Sequence, residues 1–296
     1  MGVFLKTRGR KDCLETKRET IPELEELIDQ KIPVLDHGFL ILKDYMGSDQ
    51  SIVDAARISY GKGTKSVSDD AKLINYLMSN NHTSPFEQCE IKLHLKLPIF
   101  VARQLIRHRT ASLNEYSGRY SVMDSDCYIP NPENIKQQSK SNKQGRDGTL
   151  GEGDLENILA SLKDDSEIPH EHYNELLNRY DLSRELARII LPLNTYTQWY
   201  WKIDLHNLFH FLKLRCDPHA QYEIRIYAEE ILRIVQLWCP LAFEAFMNYK
   251  MDSLTISRDT IKILRDQVDF QKLDFTGLPK REREQILTIL GKENED

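Results

Sequence analysis

A polar stretch of fourteen residues, RHRTASLNEYSGRY from Arg107 to Tyr120, carries the side chains best suited to chemistry. It surrounds a single carboxylate, Glu115, with the basic residues Arg107, His108, Arg109 and Arg119. The planar guanidinium of arginine matches a phosphate or a deprotonated imide. Few positions in the stretch could face a core at a period of about 2 or 3.6 residues. The stretch therefore predicts a site that holds a polar, anionic ligand.

Other segments also carry polar side chains without an evident structural role. These are Arg57 and Ser59 in ARISYG, His82, Ser84 and Glu87 in NHTSPFE, Arg188, and Arg215 in LRCDPHAQ. Each single arginine is most simply explained as a partner in a surface ion pair. In combination with the Arg-His-Arg turn, however, the arginines favour a planar, polyanionic ligand.

Two other chemistries are less well supported. Ser112 or Ser117 with His108 could form a nucleophile and base, but no G-x-S-x-G sequence surrounds either serine. His206 and His210 could bind a metal from one helix face, but no H-E-x-x-H sequence accompanies them. We therefore predict hydrogen bonding for the serines and no metal. A nucleotide cofactor would not be held by a standard βαβ unit, because no G-x-G-x-x-G or Walker sequence is present.

Composition narrows the class of protein. The 296 residues are 40% hydrophobic, and a net charge of -6 argues against a protein that coats nucleic acid. Five cysteines, far apart and without a C-x-x-C pair, indicate neither a disulfide framework nor a thiolate zinc site and fit a reducing cytoplasm. No apolar run reaches the roughly 18 residues that a membrane span needs, and no signal peptide is expected.

The periodicity predicts an α+β fold, with a mixed or antiparallel sheet packed against long helices. EIKLHLKLP alternates strictly and NTYTQWYWKI is aromatic and β-branched, so both predict strands. Helices are expected from Asp69, after Pro98, from Ser183, in DLHNLFHFLKLR and in YEIRIYAEEILRIVQLW. The helix after Pro98 would deliver its polar face to the start of the polar stretch.

Composition also suggests the domain organisation. Residues 1-35 predict a charged extension around a short helix, residues 36-250 a single domain that contains the candidate site, and residues 251-296 peripheral helices with a disordered tail. Within the domain, residues 131-180 predict a flexible polar insertion with a short helix at DLENILASLKDD. The His170-Glu171-His172 run beside it is expected to be exposed to solvent.

The polar stretch resembles the signature of flavin-dependent thymidylate synthases. RHRTASLNEYSGRY matches R-H-R-x(2)-S-x-N-E-x-S-x-R-Y at all nine fixed positions. The similarity extends over most of residues 52 to 249, where ARISYG, H-x-S-P-F-E, ARIILPLN, LRCDPHAQYEIR and CPLAFEAF follow in the family's order. The resemblance implies the family's fold and a homotetramer with active sites at subunit interfaces. It also implies methylation of dUMP to dTMP, with methylenetetrahydrofolate as carbon donor, FAD as hydride carrier and NADPH as reductant.

Residue roles follow from the resemblance by position. The implied dUMP-binding residues are Gln104, Leu105, Ile106, Arg107, Glu115, Tyr116, Ser117, Gly118, Arg119, Arg188 and Arg215. The implied FAD-binding residues are Ser59, His82, Ser84, Glu87, Arg107, His108, Arg109, Thr110, Asn114, Glu115, Asp204, Leu205, His206 and His210. Asp204 and His210 depart from the family's commoner asparagine, which leaves their individual contacts open.

The implied catalytic residues are Arg215 and His82. The family uses no enzyme nucleophile, and no cysteine occurs in the motif. We expect Arg215 to stabilise negative charge on the uracil ring, and Arg119 with Arg188 to hold the phosphate. Two alternatives remain open. One is a nucleotide-binding or RNA-binding module without catalysis, and the other is a flavin-dependent pyrimidine nucleotide hydroxymethylase.

Overall fold

The computed structural model describes residues 17–58, 69–268 and 272–290. The helices are α1 (Pro22–Leu27), α2 (Asp49–Ile58), α3 (Asp70–Ser79), α4 (Ile99–Leu105), α5 (Glu152–Asn178), α6 (Arg184–Ala187), α7 (Leu205–Arg215), α8 (Tyr222–Trp238), α9 (Pro240–Phe246), α10 (Arg258–Gln267) and α11 (Lys280–Leu290). The strands are β1 (Lys31–Val34), β2 (Gly38–Met46), β3 (Glu90–Pro98), β4 (Ser112–Glu115), β5 (Gln137–Gln138), β6 (Arg146–Asp147) and β7 (Tyr196–Asp204). The chain forms two compact units, Met1–Met251 and Asp252–Asp296.

The main sheet is antiparallel and has the strand order β1-β2-β3-β7-β4. The predicted alternation in β3 is confirmed, because Ile91, Leu93 and Leu95 are fully buried. The long helix α8 buries Ile224, Ile231 and other apolar side chains in the same hydrophobic core as β3. The α+β class and the antiparallel sheet packed with helices are thus confirmed.

Strand β7 positions both parts of the polar constellation. On one side it pairs with β4, where Ser112 lies opposite Lys202 and Glu115 opposite Trp199. At its end it leads directly into α7, which begins at Leu205. All four residues of β4 are exposed, because it is the edge strand. The motif and Arg215, distant in sequence, are therefore both attached to one strand.

The N-terminal segment takes part in the core more than its charge suggests. The predicted short helix is α1, and its Leu24 is fully buried. Strand β1 pairs with β2, and its Val34 is 2% exposed. The expected boundary near residue 35 therefore does not separate a peripheral extension from the sheet, because the segment pairs with β2 and contributes Leu24 and Val34 to the core. Residues 1–16 lie outside the described part of the chain.

The segment 131–180 is more ordered than its composition suggests. Helix α5 spans 27 residues, so it is much longer than the short helix expected at DLENILASLKDD. The expectation that His170 is exposed is wrong, because its side chain is 5% exposed and its Nε2 lies 3.2 Å from Thr195 Oγ1. Tyr173, one turn further on, is also buried. A few buried side chains anchor this helix. Because the rest of its sequence is polar, the composition did not predict their burial.

The C-terminal unit contains α10 and α11. Ser257 caps α10 by accepting a hydrogen bond from Thr260 N at 3.2 Å. Arg265 Nε donates to the carbonyl of Ile289 at 2.7 Å and so connects the two helices. The predicted disordered tail, KENED, lies outside the described residues. None of the helices described in either unit is long and apolar enough to cross a membrane.

Candidate active site

The start of the polar motif and the end of α7 form one cleft of about 270 Å³, which we name the arginine cleft. Arg107, His108, Arg109 and Thr110 line one side, and Asn207, His210 and Arg215 of α7 line the other. The motif follows α4, whose buried Val101 and Leu105 fix its start against the core. The structure thus brings together the Arg-His-Arg turn and the predicted catalytic Arg215.

Arg215 is held in the arginine cleft by a neutral imidazole. Its Nε donates a hydrogen bond to Nε2 of His108 at 3.1 Å. Burial, together with the charge of Arg215 and the neighbouring His210, lowers the pKa of His108 to about 4. His108 is therefore uncharged at neutral pH and can accept this hydrogen bond. It also packs edge-on against Phe211, with ring centroids 4.9 Å apart.

Arg215 has no carboxylate partner among the residues that the structure describes. Its guanidinium is partly buried, and this burial lowers its pKa below the usual value without making it neutral. A cation that has lost water and lacks a counter-charge carries a desolvation cost that a bound anion can offset. The site thus has the charge and geometry to stabilise negative charge on a planar ligand.

A second cleft of about 250 Å³ lies on the other side of His210, and we name it the imidazole cleft. Its floor is apolar and consists of Leu77, Met78, Phe86, Phe209 and Phe246. Its polar side chains include His82, His206 and His210. The predicted FAD-binding histidines from two distant segments therefore meet here. Because His210 lines both clefts, the two are neighbours.

Two lysines of the imidazole cleft were missed in the sequence analysis. Lys213 and Lys250 both line the cleft, and Lys250 Nζ donates to Asn81 Oδ1 at 2.5 Å. Burial and the nearby charge of Lys213 lower the pKa of Lys250. No carboxylate pairs with either lysine in the described part of the chain. Lys213 could have been found from its position three residues after His210 on α7, whereas nothing in the sequence connects Lys250 with these histidines.

A third group of predicted residues, which we name the Gly118 surface, consists of Ser117, Gly118, Arg119 and Arg188. A Cβ atom at position 118 would lie 3.3 Å from Cδ of Arg188, so the glycine allows this arginine to pack closely. Arg119 is exposed and pairs with Glu185 at 3.1 Å. Neither Arg119 nor Arg188 lines the arginine cleft or the imidazole cleft.

Several other predicted ligand residues have structural partners. Thr197 Oγ1 donates to Glu115 at 2.8 Å. Gln104 donates through its Nε2 to Oε1 of Gln221. The hydroxyl of Tyr116 donates to the carbonyl of Val122 at 2.6 Å. These contacts hold the side chains in place at or near the surface.

Other positions are more restricted than the sequence analysis implied. Leu105 and Leu205 are fully buried core residues, so only their main-chain atoms could face a ligand, whereas Ile106 is 44% exposed. Asp204 caps α7, because its carboxylate accepts from Asn207 N at 3.0 Å and Asn207 Nδ2 at 2.7 Å. Arg57 forms an ion pair with Asp70 at 2.6 Å and so has a structural role.

The remaining predicted flavin residues lie at the rim or outside the described structure. Ser84 and Glu87 are exposed beside the imidazole cleft, where their neighbour Thr83 lines it and donates to Glu87 at 2.9 Å. Asn114 is exposed on β4. Ser59 lies outside the described residues. Within residues 17–58, 69–268 and 272–290, no cluster of three or more His, Cys, Asp or Glu side chains could hold a metal ion.

Comparison with known proteins finds relatives that match most of the chain. The flavin-dependent thymidylate synthase of Ehrlichia ruminantium (strain Gardel) is 54% identical over 279 residues, which cover 93% of each chain. That of Rickettsia conorii is 50% identical over 290 residues, covering 93% of this chain and 99% of the relative. A crystal structure of the UMP/dUMP methylase PolB from Streptomyces cacaoi, bound with 5-Br dUMP, superposes with a TM-score of 0.66 at 31% identity. It covers 74% of this chain and 99% of PolB.

The family match covers the elements that line the two clefts, as far as the start of α9. Residues 41–241 match the family described as thymidylate synthase complementing protein. This range contains the polar motif, all of β7 and α7, and Arg215. The chain belongs to the thymidylate synthase complementing protein family.

Proposed function

We propose that the chain is a flavin-dependent thymidylate synthase. It methylates dUMP to dTMP, with methylenetetrahydrofolate as carbon donor, FAD as hydride carrier and NADPH as reductant. The observation that carries the proposal is the partly buried guanidinium of Arg215, without a carboxylate partner among the described residues and held by neutral His108. The similarity to flavin-dependent thymidylate synthases, which are 50% to 54% identical to this chain, supports it.

The residues present fit FAD. A dinucleotide offers an aromatic ring for an apolar floor and a diphosphate for cations. The imidazole cleft combines Phe209 and Phe246, stacked at 4.3 Å, with Lys213 and Lys250. We therefore assign part of the dinucleotide to this cleft, near His82, His206 and His210. When bound, FAD supplies the hydride-transfer chemistry that no side chain can supply.

The arginine cleft positions the pyrimidine. Arg215 stabilises negative charge on the uracil ring as the ring becomes electron rich, and His108 holds this guanidinium in a fixed orientation. Arg107 and Gln104 orient the nucleotide without taking part in bond making. Among the described residues no cysteine lines either cleft, and Cys89 and Cys239 are fully buried, which fits a reaction without a thiol nucleophile.

A homotetramer is part of the proposal. The Gly118 surface would hold the phosphate of dUMP, yet neither Arg119 nor Arg188 lines the arginine cleft. A second copy of the chain could bring its Gly118 surface to that cleft and cover the exposed strand β4.

Replacing Leu113 of β4 with Asp should therefore dissociate the oligomer, which light scattering would detect as a lower molecular mass. The matched control is Leu254→Asp, which lies outside the family match. An unchanged mass for Leu113→Asp would contradict this interface.

We also place the reaction in the cytoplasm. Cys89, Cys127, Cys216 and Cys239 have free thiols in the structure, which suits a reducing compartment. Fractionation of cells that produce the tagged protein would test the location, and recovery outside the cytoplasm would contradict it.

UMP is a second candidate substrate, because PolB is described as a UMP/dUMP methylase. The two nucleotides differ only by the ribose 2′-hydroxyl. The sequence relatives named as thymidylate synthases favour dUMP. Competition between UMP and dUMP for one enzyme preparation would measure the preference directly.

The test of the proposed function is an anaerobic single-turnover assay. Protein loaded with FAD is reduced by NADPH and then mixed with dUMP and methylenetetrahydrofolate. We expect flavin reoxidation together with dTMP and tetrahydrofolate. Formation of 5-hydroxymethyl-dUMP would instead indicate a hydroxymethylase. Failure to bind FAD, combined with salt-sensitive RNA binding, would indicate a binding module without catalysis.

A further inference from the structure

A buried carboxylate connects the segment 131–180 with the substrate-binding elements. Glu223, in the first turn of α8, is 2% exposed. Its Oε1 accepts hydrogen bonds from Arg146 Nη1 at 3.0 Å and from the hydroxyl of Tyr128 at 3.1 Å. Its Oε2 accepts from Gln221 Nε2 at 2.9 Å. A carboxylate at this depth is stable only when it is paired and hydrogen-bonded, and these contacts provide both an ion pair and hydrogen bonds.

The charge of Glu223 determines which way the amide of Gln221 points. A carboxylate only accepts hydrogen bonds, so Gln221 must turn its NH₂ group toward Glu223. The carbonyl oxygen of Gln221 then faces Gln104, whose Nε2 donates to it. This contact in turn leaves the carbonyl of Gln104 directed away from Gln221. The network therefore fixes the orientation of two successive amides.

Arg146 supplies the counter-charge for this network from outside the sheet. It lies on β6, in the small hairpin with β5, and its guanidinium lies 5.4 Å from the centre of the Tyr222 ring. The residue is partly buried and its ion pair with Glu223 is 3.0 Å long. Nothing in the proposed reaction assigns a role to this hairpin. Its contact with Glu223 places it two side chains from Gln104.

We propose that Arg146, Glu223 and Gln221 are positioning residues for the pyrimidine nucleotide. They hold the amide of Gln104 in the orientation that binds dUMP, so the hairpin β5–β6 acts on the substrate site through Glu223 and Gln221. The inference rests on the proposed function, in which Gln104 binds dUMP. It adds a role for a segment whose composition indicated only a polar insertion.

The test is a double-mutant cycle on dUMP binding, measured by calorimetry with the FAD-loaded protein. Arg146→Met should weaken dUMP binding about tenfold in the wild-type background, the size expected for a displaced polar contact. In the Gln104→Met background the same change should have less than about a twofold effect, because the residue acts through Gln104. General damage to the fold would lower affinity equally in both backgrounds, and that result would overturn the proposal.

Two further variants keep the test decisive. Gln221→Met interrupts the network without leaving Glu223 unpaired from Arg146, and it should show the same dependence on Gln104 even if Arg146→Met does not fold. Arg179→Met is the matched control, because this exposed arginine contacts Glu175 one turn away and the ring of Tyr180, neither of which belongs to the network. It should bind dUMP like the wild type. If the wild type binds dUMP but Gln221→Met binds it equally well, the positioning role is contradicted and the proposed function is not. If the wild type does not bind dUMP, the proposed function fails as well.

Discussion

The arginine cleft and the imidazole cleft are neighbours of similar size that differ in what lines them. The first is about 270 Å³ and presents Arg107, Arg109 and Arg215. The second is about 250 Å³ and has an apolar floor with histidines and two lysines. His210 lines both. The guanidinium groups thus lie in the cleft on one side of His210, and the aromatic side chains and lysine ammonium groups lie in the cleft on the other.

This difference indicates how the site distributes two ligands. Guanidinium groups suit a pyrimidine ring that develops negative charge, since their shape matches an imide. An apolar floor beside ammonium groups suits a dinucleotide, which carries both rings and a diphosphate. If the assignment is correct, substitutions in one cleft should affect one ligand and spare the other. The predictions below test this separation.

The largest expected effect comes from Arg215→Ala. Removing a preorganised charge that faces a developing anion lowers turnover about 100-fold to 1,000-fold in comparable sites. We therefore expect dTMP formation to fall by about this factor while FAD content is unchanged. Product formation and bound flavin would be measured on the same preparation.

Arg233→Ala on the exposed face of α8 is the control for the Arg215 variant. Arg233 is a surface residue paired with Glu230, so both activity and flavin content should be retained. Equal loss of FAD and activity in Arg215→Ala would show that the arginine cleft does not act separately from the flavin site.

A smaller effect is expected from Lys250→Met, which removes a cation from the imidazole cleft but keeps the side-chain length. FAD affinity should fall about tenfold, since a hydrogen bond to a charged group contributes about 1.5 kcal/mol or more. The affinity for dUMP should not change. Quenching of FAD fluorescence on binding gives the dissociation constant.

The matched control for Lys250→Met is Lys163→Met on the exposed face of α5. It should bind FAD with wild-type affinity. If Lys250→Met does so too, the diphosphate lies elsewhere, and the assignment of the two ligands to the two clefts would need revision.

The smallest effect concerns His108 and pH. Its pKa is about 4 in the folded protein and near the ordinary 6.5 when unfolded, so the unfolded chain binds the proton between these values. The free energy of unfolding should therefore decrease as pH falls from about 6.5 to about 4. For a half-buried group we expect about 1 to 2 kcal/mol after solvent screening.

The pH effect would be measured by urea unfolding at a fixed protein and FAD concentration, for the wild type and for His108→Gln. The variant can still accept a hydrogen bond from Arg215 but cannot titrate. Its unfolding free energy should depend less on pH over this interval. Identical pH profiles for the two proteins would contradict the neutral imidazole.

The regular elements of the fold were largely predictable from the sequence. Strict alternation in β3 and the β-branched, aromatic run in β7 arise from burial of one sheet face, a local property. Helix α5 was underestimated because few of its side chains, such as His170 and Tyr173, are buried. The docking of Val34 could not be predicted, since strand pairing between distant segments leaves no local signal.

Candidate residues of the site could be named from the sequence, but their arrangement could not. The motif identified Arg107 and His108, and the segment LRCDPHAQYEIR identified Arg215, through their resemblance to a known family. That Arg215 donates to His108 depends on how β7 places α7 against the motif, which no spacing reveals. Lys250 and Gln221 were missed for the same reason, because each becomes relevant only through a contact between distant segments.

The most direct test of the separation between the two clefts is a crystal structure of the protein with oxidised FAD and dUMP. The account predicts the uracil ring against Arg215 in the arginine cleft. It also predicts part of the FAD dinucleotide in the imidazole cleft, with Lys213 or Lys250 near its phosphates. A structure in which the uracil ring lies away from Arg215, or in which FAD leaves the imidazole cleft empty, would contradict it.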